Sequence, residues 1–417
     1  MDKAASTSPT EPTGRTLPLL FVSTLLGAFG TSAANVLLPV LAASYSASFV
    51  QIQAVVIAYL LGLTLAALRA GRYGDRFGLR RVHLAGLALF AVASLLCALA
   101  PTLEVLIMAR LLQGAGAACV MTLALALVRQ CLPPAALGRA LGMLGSASAL
   151  GTAGGPVIGG LLEPLGGWRT VFLLQLVLAL GTLVLAQNGL PRAVTPGTSS
   201  PRASISSALQ RSLLPSLAFN LVVALTMMST LVVGPFYLGL GLGSSTVVTG
   251  LVMAVGPCLS ILCGMPAGRS VDRWGSTPVR LIGLVMLTLG VVQLALLPPL
   301  LGIAGYVLGI GILTPGYQLF QAANNAHLLE RATPERRGMV AGLLSLSRNL
   351  GLLVGACLVS ALFTLNTGAD SVNQLTTQSL TAGLRNVFTD TAILLAATLV
   401  LAVWPVAMDF RPRRRGH

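Results

Sequence analysis

The chain is 417 residues long, 55% hydrophobic and only 9% charged, with a formal net charge of +15. A soluble domain carries about 25% charged residues, so this deficit excludes an ordinary water-facing surface. In a soluble protein the positive charge would suggest nucleic acid, but here the arginines sit in short segments between long apolar runs, the pattern that orients a chain in a bilayer.

Stretches such as Leu84–Pro101, Leu111–Val128 and Thr391–Met408 carry no charge at all. About 20 apolar residues cross the hydrocarbon core. Lipid offers backbone groups no water partner, so such runs must be helical; the alternation of a membrane barrel is absent. The sequence predicts an all-α membrane protein with twelve transmembrane helices: 17–41, 50–69, 82–100, 103–128, 139–162, 170–190, 213–238, 246–267, 280–297, 300–325, 338–364 and 387–408. Residues 1–16 are polar, lack a cleavage pattern and read as a cytoplasmic tail. Residues 191–212 are rich in Pro, Ser, Thr and Arg and read as a cytoplasmic linker between two six-helix bundles, 17–190 and 213–408. A basic cytoplasmic tail, 409–417, follows. The six cysteines form no metal-type pair and read as small packing residues.

With the N-terminus inside and the helices alternating, 22 of the 26 basic residues fall on the cytoplasmic side. Only Arg169 and Arg385 fall outside, and Arg110 and Arg348 lie within helices. Miscounting one early helix would destroy that asymmetry, so it supports both count and orientation.

An internal repeat supports the same division. Gly71-Arg-Tyr-Gly-Asp75-Arg76-Phe-Gly78 follows helix two, and Gly268-Arg-Ser-Val-Asp272-Arg273-Trp-Gly275 follows helix eight. Both are read as tight loops. Asp75 can face a helix N-terminus or pair with Arg76, Arg80 or Arg81, and such a cluster can latch the cytoplasmic side in one conformation. At this point the chain resembles the major facilitator superfamily. Gly71, Asp75, Arg76, Gly78, Arg80 and Arg81 match its signature between helices two and three, with Leu79 where many members carry a further basic residue. The resemblance covers essentially the whole chain. It implies two six-helix bundles around a central cavity, a pseudo-two-fold axis along the membrane normal, and a loop linked to the switch between inward-open and outward-open states.

Helix four carries Arg110-Leu-Leu-Gln113-Gly114-Ala-Gly116. An arginine in lipid tends to face a cavity or a partner, or snorkels to the outer face; the resemblance favours a coupling role. Helix five carries Gly151, Gly154, Gly155, Pro156, Gly159 and Gly160, followed by Trp168-Arg169-x-x-Phe172. Glycines four apart make a flat packing face, and Pro156 removes a backbone hydrogen bond. The full pattern resembles the antiporter motif of drug:proton exporters, which implies export rather than uptake. Gln321, Asn324, Asn325, Ser347, Arg348 and Asn349 place polar groups at membrane depth in helices ten and eleven, in a stretch similar to the multidrug exporters of fourteen helices.

One departure bears on energy coupling. Exporters of this kind commonly carry a carboxylate in a cavity helix, whereas helix one here reads Gly30-Thr-Ser32-Ala-Ala-Asn35 with no acid. Asp390, Arg110 and His327 are the coupling candidates, with Asp75 at the cytoplasmic edge, because a proton carrier needs a group that titrates near working pH. The cavity lining is expected to include Asn35, Arg110, Gln113, Gln175, Asn220, Tyr237, Gln318, Gln321, Asn324 and Arg348. Two arginines without a central acid favour neutral, zwitterionic or anionic amphiphiles over dications.

No phosphate-binding loop and no metal-spaced cluster is present, so neither an ATP-driven pump, an enzyme nor a cofactor is expected. The expected function is secondary active export of small amphiphilic molecules across a bacterial inner membrane, with protons as counter-ions and a functional monomer as the family default. The alternatives are a dedicated exporter of one metabolite, such as a siderophore or amino-acid derivative, an importer, and a membrane sensor that binds without transporting.

Overall fold

The computed structural model describes residues 16–132, 134–190, 213–330, 337–367 and 376–409. The predicted linker and nearly all of both tails lie outside the described residues. Among the described residues twelve long helices make up the fold: α1 (Thr16–Ser44), α2 (Phe49–Phe77), α3 (Leu79–Leu99), α4 (Leu103–Cys131), α5 (Pro134–Gly166), α6 (Arg169–Gly189), α7 (Leu214–Phe236), α8 (Thr246–Trp274), α9 (Ser276–Leu296), α10 (Ile303–Glu330), α11 (Arg337–Thr367) and α12 (Thr377–Asp409). A short π-helical turn, Tyr237–Gly241, extends α7 beyond Pro235, and a single turn, Pro298–Leu301, precedes α10.

Eleven of these helices are long and apolar enough to cross a membrane. The twelfth, α5, is diluted by glycine but spans the same depth. Cβ atoms at Gly151, Gly155 and Gly159 would meet Leu25, Ser32 and Val36 in turn, so α5 runs parallel to α1 along its length.

The bundle is built twice. Within the first half α1 packs on α5, α2 on α4, and α3 on both α4 and α6. Within the second, α7 packs on α11, α8 on α10, and α9 on both α10 and α12. Local signals repeat with the packing. Ser48 accepts a hydrogen bond from the Gln51 amide at 3.2 Å and starts α2, while Ser245 accepts one from the Val248 amide at 3.3 Å and starts α8. Gly78 (φ 92°) and Gly275 (φ 83°) end those helices in the left-handed region, where a side chain would be strained. The same sequence offset separates Ser48 from Ser245, Gly78 from Gly275, and the helix-packing Gly86 from Gly283.

The sequence-based spans are correct in number and type but short at the arginine-rich end. There α2 runs to Phe77 and α8 to Trp274, so both G-x-x-x-D-R-x-G segments expected to be loops are helical up to the final glycine. Helices can project beyond the hydrocarbon into water, so a charged end marks where lipid stops rather than where the helix does. At the other end α12 begins at Thr377, ten residues before its expected start at 387.

The two halves meet through α5 with α8 and through α2 with α11, two contacts related by the same internal symmetry. The close inter-half contacts cluster at the arginine-poor end. A Cβ at Gly160 would press on the Thr246 carbonyl, and one at Gly250 would collide with that of Pro156. The Phe49 ring lies 4.7 Å from Phe236 and 4.5 Å from Phe363, centroid to centroid, tying α2 to α7 and α11. Toward the arginine-rich end, Gly142 and Gly145 of α5, Gly264 and Gly268 of α8, and Gly342 of α11 face open space.

Candidate functional site

A polar cluster sits in the middle of the first half. Arg110 on α4 is fully buried and held from three helices. Its Nη1 donates to the Gly30 carbonyl of α1 at 3.1 Å and to Gln113 Oε1 at 2.5 Å, and its Nε donates to the Val55 carbonyl of α2 at 3.4 Å. The guanidinium carbon lies 4.2 Å from the centre of the Tyr59 ring and 6.0 Å from that of Phe172. Tyr59 is fixed in turn by donating to the Gly27 carbonyl at 2.9 Å. Gln113 Nε2 donates to Ser94 Oγ at 2.7 Å and to Gln175 Oε1 at 2.6 Å, bringing in α3 and α6.

This arrangement neutralises a buried cation without an acid. Carbonyl and amide oxygens supply negative partial charge, and two aromatic faces stack on the guanidinium. Arg110 neither snorkels nor opens to water. Its Nη2 has no partner, nor does Gln175 Nε2. Sequence reasoning found Arg110, Gln113 and Gln175 but missed Tyr59 and Ser94. The available signal for Tyr59 was a tyrosine in mid-span, whose hydroxyl needs a partner when buried.

Several residues expected at the cavity wall are instead buried between helices in this conformation. Gln113 and Gln175 belong to the Arg110 cluster. Asn220 of α7 donates to the Leu344 carbonyl at 2.9 Å and Ser347 Oγ at 3.1 Å, and Asn324 of α10 donates to the Ser216 carbonyl at 3.2 Å. Asn35 and Tyr237 are also buried. Gln318 and Gln321 are partly exposed, the latter donating to the Tyr317 hydroxyl at 3.2 Å, and Arg348 is exposed.

The repeated segments are unlatched. Asp75 and Asp272 are exposed and pair with no described residue. The expected pairing of Asp75 with Arg76, Arg80 or Arg81 is not made. Arg76 and Arg273 lie over the rings that follow them, Phe77 at 5.2 Å and Trp274 at 6.0 Å, and Arg81 is exposed. Arg80 instead donates to the Gln187 carbonyl at 2.6 Å, placing a cation at the C-terminus of α6.

The α5 motif divides its work between two partners. Gly151, Gly155 and Gly159 pack on α1, whereas Pro156 and Gly160 meet α8 across the seam between halves. Just beyond, Arg169 stacks on Trp168 at 4.2 Å and donates to the Ala100 carbonyl at 3.4 Å, which also accepts from the Tyr45 hydroxyl at 2.9 Å. Burial raises the pKa of the Tyr45 phenol, with Arg169 opposing. The knot ties three connections of the first half together.

The remaining coupling candidates lie apart from the cluster. Asp390 is on the outward face of α12, in line with exposed Ala397 and Leu401. His327 lies at the arginine-rich end of α10, its Nδ1 3.5 Å from Ser276 Oγ, which also donates to Glu330 at 3.3 Å. Neither carries a carboxylate into the space between the halves.

Comparisons with known proteins add to this geometry. A sequence model of the Major Facilitator Superfamily matches residues 20–356. The chain is 29% identical to the uncharacterized transporter YebQ of Escherichia coli over 383 residues, 78% of this chain and 84% of that one. It is 26% identical to the riboflavin transporter RibZ of Clostridioides difficile over 82% of this chain and 86% of that one. It is 26% identical to the multidrug efflux pump LfrA of Mycolicibacterium smegmatis over 84% of this chain and 80% of that one. Among solved structures, the nucleoside transporter NupG (D323A mutant) superposes with a TM-score of 0.76 at 14% identity, covering 95% of this chain and all of the other.

Proposed function

Because the chain belongs to the major facilitator superfamily, we propose that it is a secondary active exporter of small amphiphilic molecules, working by alternating access and driven by proton antiport. The observation that carries this reading is the position of the α5 motif. Pro156 and Gly160 form the seam with α8 at the arginine-poor end, where the close contacts between the halves cluster among the described residues. A seam of backbone on backbone can part and re-form with little side-chain rearrangement, as a rocking hinge requires.

Orientation follows from charge. With the arginine-rich end in the cytoplasm of a bacterial inner membrane, the conformation is inward-open, and neither Asp75 nor Asp272 is paired in it. Cytoplasmic substrate would enter the cleft from that side. The likeness to a protein described as a multidrug efflux pump supports export and broad specificity. The likeness to a riboflavin transporter supports a second reading, a dedicated transporter of one metabolite; a substrate panel separates the two.

The test is substrate-driven proton movement in proteoliposomes, with anionic, zwitterionic and cationic amphiphiles. Antiport predicts proton flux opposite to substrate flux for several unrelated compounds. Transport without proton movement would sink the coupling assignment, and transport of a single compound would favour the second reading.

A further inference from the structure

We propose that Arg348 is the anchor for an anionic group of the substrate, so that the transported amphiphiles carry a carboxylate, sulfonate or phosphate head. The inference rests on the transporter reading above and names the substrate class that the cleft takes.

Depth comes first. Arg348 lies eleven residues from the Arg337 end of α11 and nineteen from its Thr367 end. At 1.5 Å per residue that is about 16 and 28 Å; α11 outruns a hydrocarbon core of about 30 Å, so Arg348 lies in the arginine-rich half of the membrane. Facing hydrocarbon would cost an exposed guanidinium there several kcal/mol, and a water-filled opening removes that cost.

Direction is fixed by the helix itself. At 3.6 residues per turn Ser345 stands about five turns from Phe363, on the same line along α11. Arg348 stands within about 60° of that line. Phe363 is the residue that α11 presses on Phe49 of α2 at the closed end. Near it, Ala356 and Val359 on the same side are also buried, whereas Ser345 and Arg348 are exposed. One face of α11 is therefore covered by α2 where the halves touch and uncovered where they part. Arg348 looks into that opening.

The surroundings select the ligand. Arg348 makes no hydrogen bond or ion pair with a described residue. Among the described residues, Asp75, Glu104, Glu163, Asp272 and Glu330 lie near helix ends and Asp390 lies on the outward face of α12. None of these six lies at the depth of Arg348 while facing the partner half. Arg110, the other mid-membrane arginine, is enclosed by its own cluster. Across the opening, the α2 stripe that begins at Phe49 continues to partly exposed Ala67, with Leu63 beside it partly packed into the core of the first half. A cation on one wall and apolar side chains on the other match a molecule with an anionic head and an apolar body.

The test uses the full chain in proteoliposomes, with carboxyfluorescein as anionic probe and rhodamine 6G as cationic probe. Arg348→Gln is expected to raise KM for carboxyfluorescein about 10- to 100-fold, the loss of a charge-assisted contact, while Arg348→Lys recovers part of it. Unchanged carboxyfluorescein transport by Arg348→Gln, with the protein folded, would overturn the anchor and leave the transporter reading standing. So would transport of rhodamine 6G alone by the parent protein. A separate measurement guards the premise. Ser345→Cys should react with a membrane-impermeant maleimide from the arginine-rich side and be protected by carboxyfluorescein. If it is inert from both sides, there is no water-filled cleft at α11, and both the anchor and the cleft fall.

Discussion

Among the described arginines Arg110 alone has no exposed surface, and what holds it predicts how it fails. Two backbone carbonyls and Gln113 Oε1 receive its protons from different directions, and Tyr59 lies flat against it. Lysine is a point donor without the planar fork, so Arg110→Lys should fail to hold both carbonyls and Gln113 together. The expected result is a lower melting temperature in detergent and loss of most transport. Tyr59 separates the two interactions it makes. Tyr59→Phe keeps the ring and loses the bond to Gly27, costing about 1 kcal/mol. Tyr59→Leu also loses the cation–π contact, adding about 2 kcal/mol at a desolvated site. Equal melting temperatures for the two variants would mean that the ring face contributes nothing.

That cluster also shows where the sequence stops informing. A polar side chain in an apolar run announces that it needs a partner, so Arg110, Gln113 and Gln175 were visible as a class. Whether the partner is another helix or water depends on rotation about the helix axis, which an isolated polar residue does not reveal. Gln113 and Asn220 turn into helix contacts and Arg348 turns to the opening between the halves, though all three look alike in sequence. Phe49, Phe236 and Phe363 were invisible for the opposite reason: an apolar ring in an apolar helix carries no mark of the seam it closes.

At the scale of elements, the glycine motifs behave as spacers whose absence is felt across a neighbour. Gly250 of α8 approaches the Pro156 carbonyl so closely that a side chain has no room. Gly250→Val should therefore wedge α8 from α5 and favour the conformation in which this end is open. A cysteine at Val247, beside the seam, should then label faster from the arginine-poor side, while Gly264→Val, which faces open space, leaves labelling unchanged. Equal rates in both variants would show that the seam is not closed by backbone contact. The twelve helices themselves were legible, since hydrocarbon demands long apolar helices whatever their packing. Their extensions were not, because beyond the lipid the chain is free to stay helical with charged side chains. That is why the D-R segments at Asp75 and Asp272 read as loops and prove to be the last turns of α2 and α8.

The whole molecule is two copies of one design joined asymmetrically in chemistry. Packing repeats down to paired glycines: Gly86 approaches Gly116 as Gly283 approaches Gly316. The membrane-depth arginines do not repeat, although buried His83 and Arg280 do, each bonding a serine on the first helix of its half. The first half encloses Arg110, whereas the second sets Arg348 at its open face. The free latches belong to the same scale. Asp75→Asn removes a group that pairs with nothing here, so it should leave the stability of this conformation unchanged while slowing transport, because any partner is met only when the arginine-rich end closes. A fall in melting temperature would place Asp75 in a contact of the present state.

Spin labels on two pairs across the halves report the motion itself: Tyr73 with Met339 near the arginine-rich end, and Val50 with Leu365 at the other, each pair on α2 and α11. Without substrate the account predicts a long first distance and a short second one. Adding carboxyfluorescein under an imposed pH gradient should populate a second state in which the first shortens as the second lengthens. Flux with both distances unchanged, or with both moving in the same direction, would contradict alternating access about the α5–α8 and α2–α11 seams.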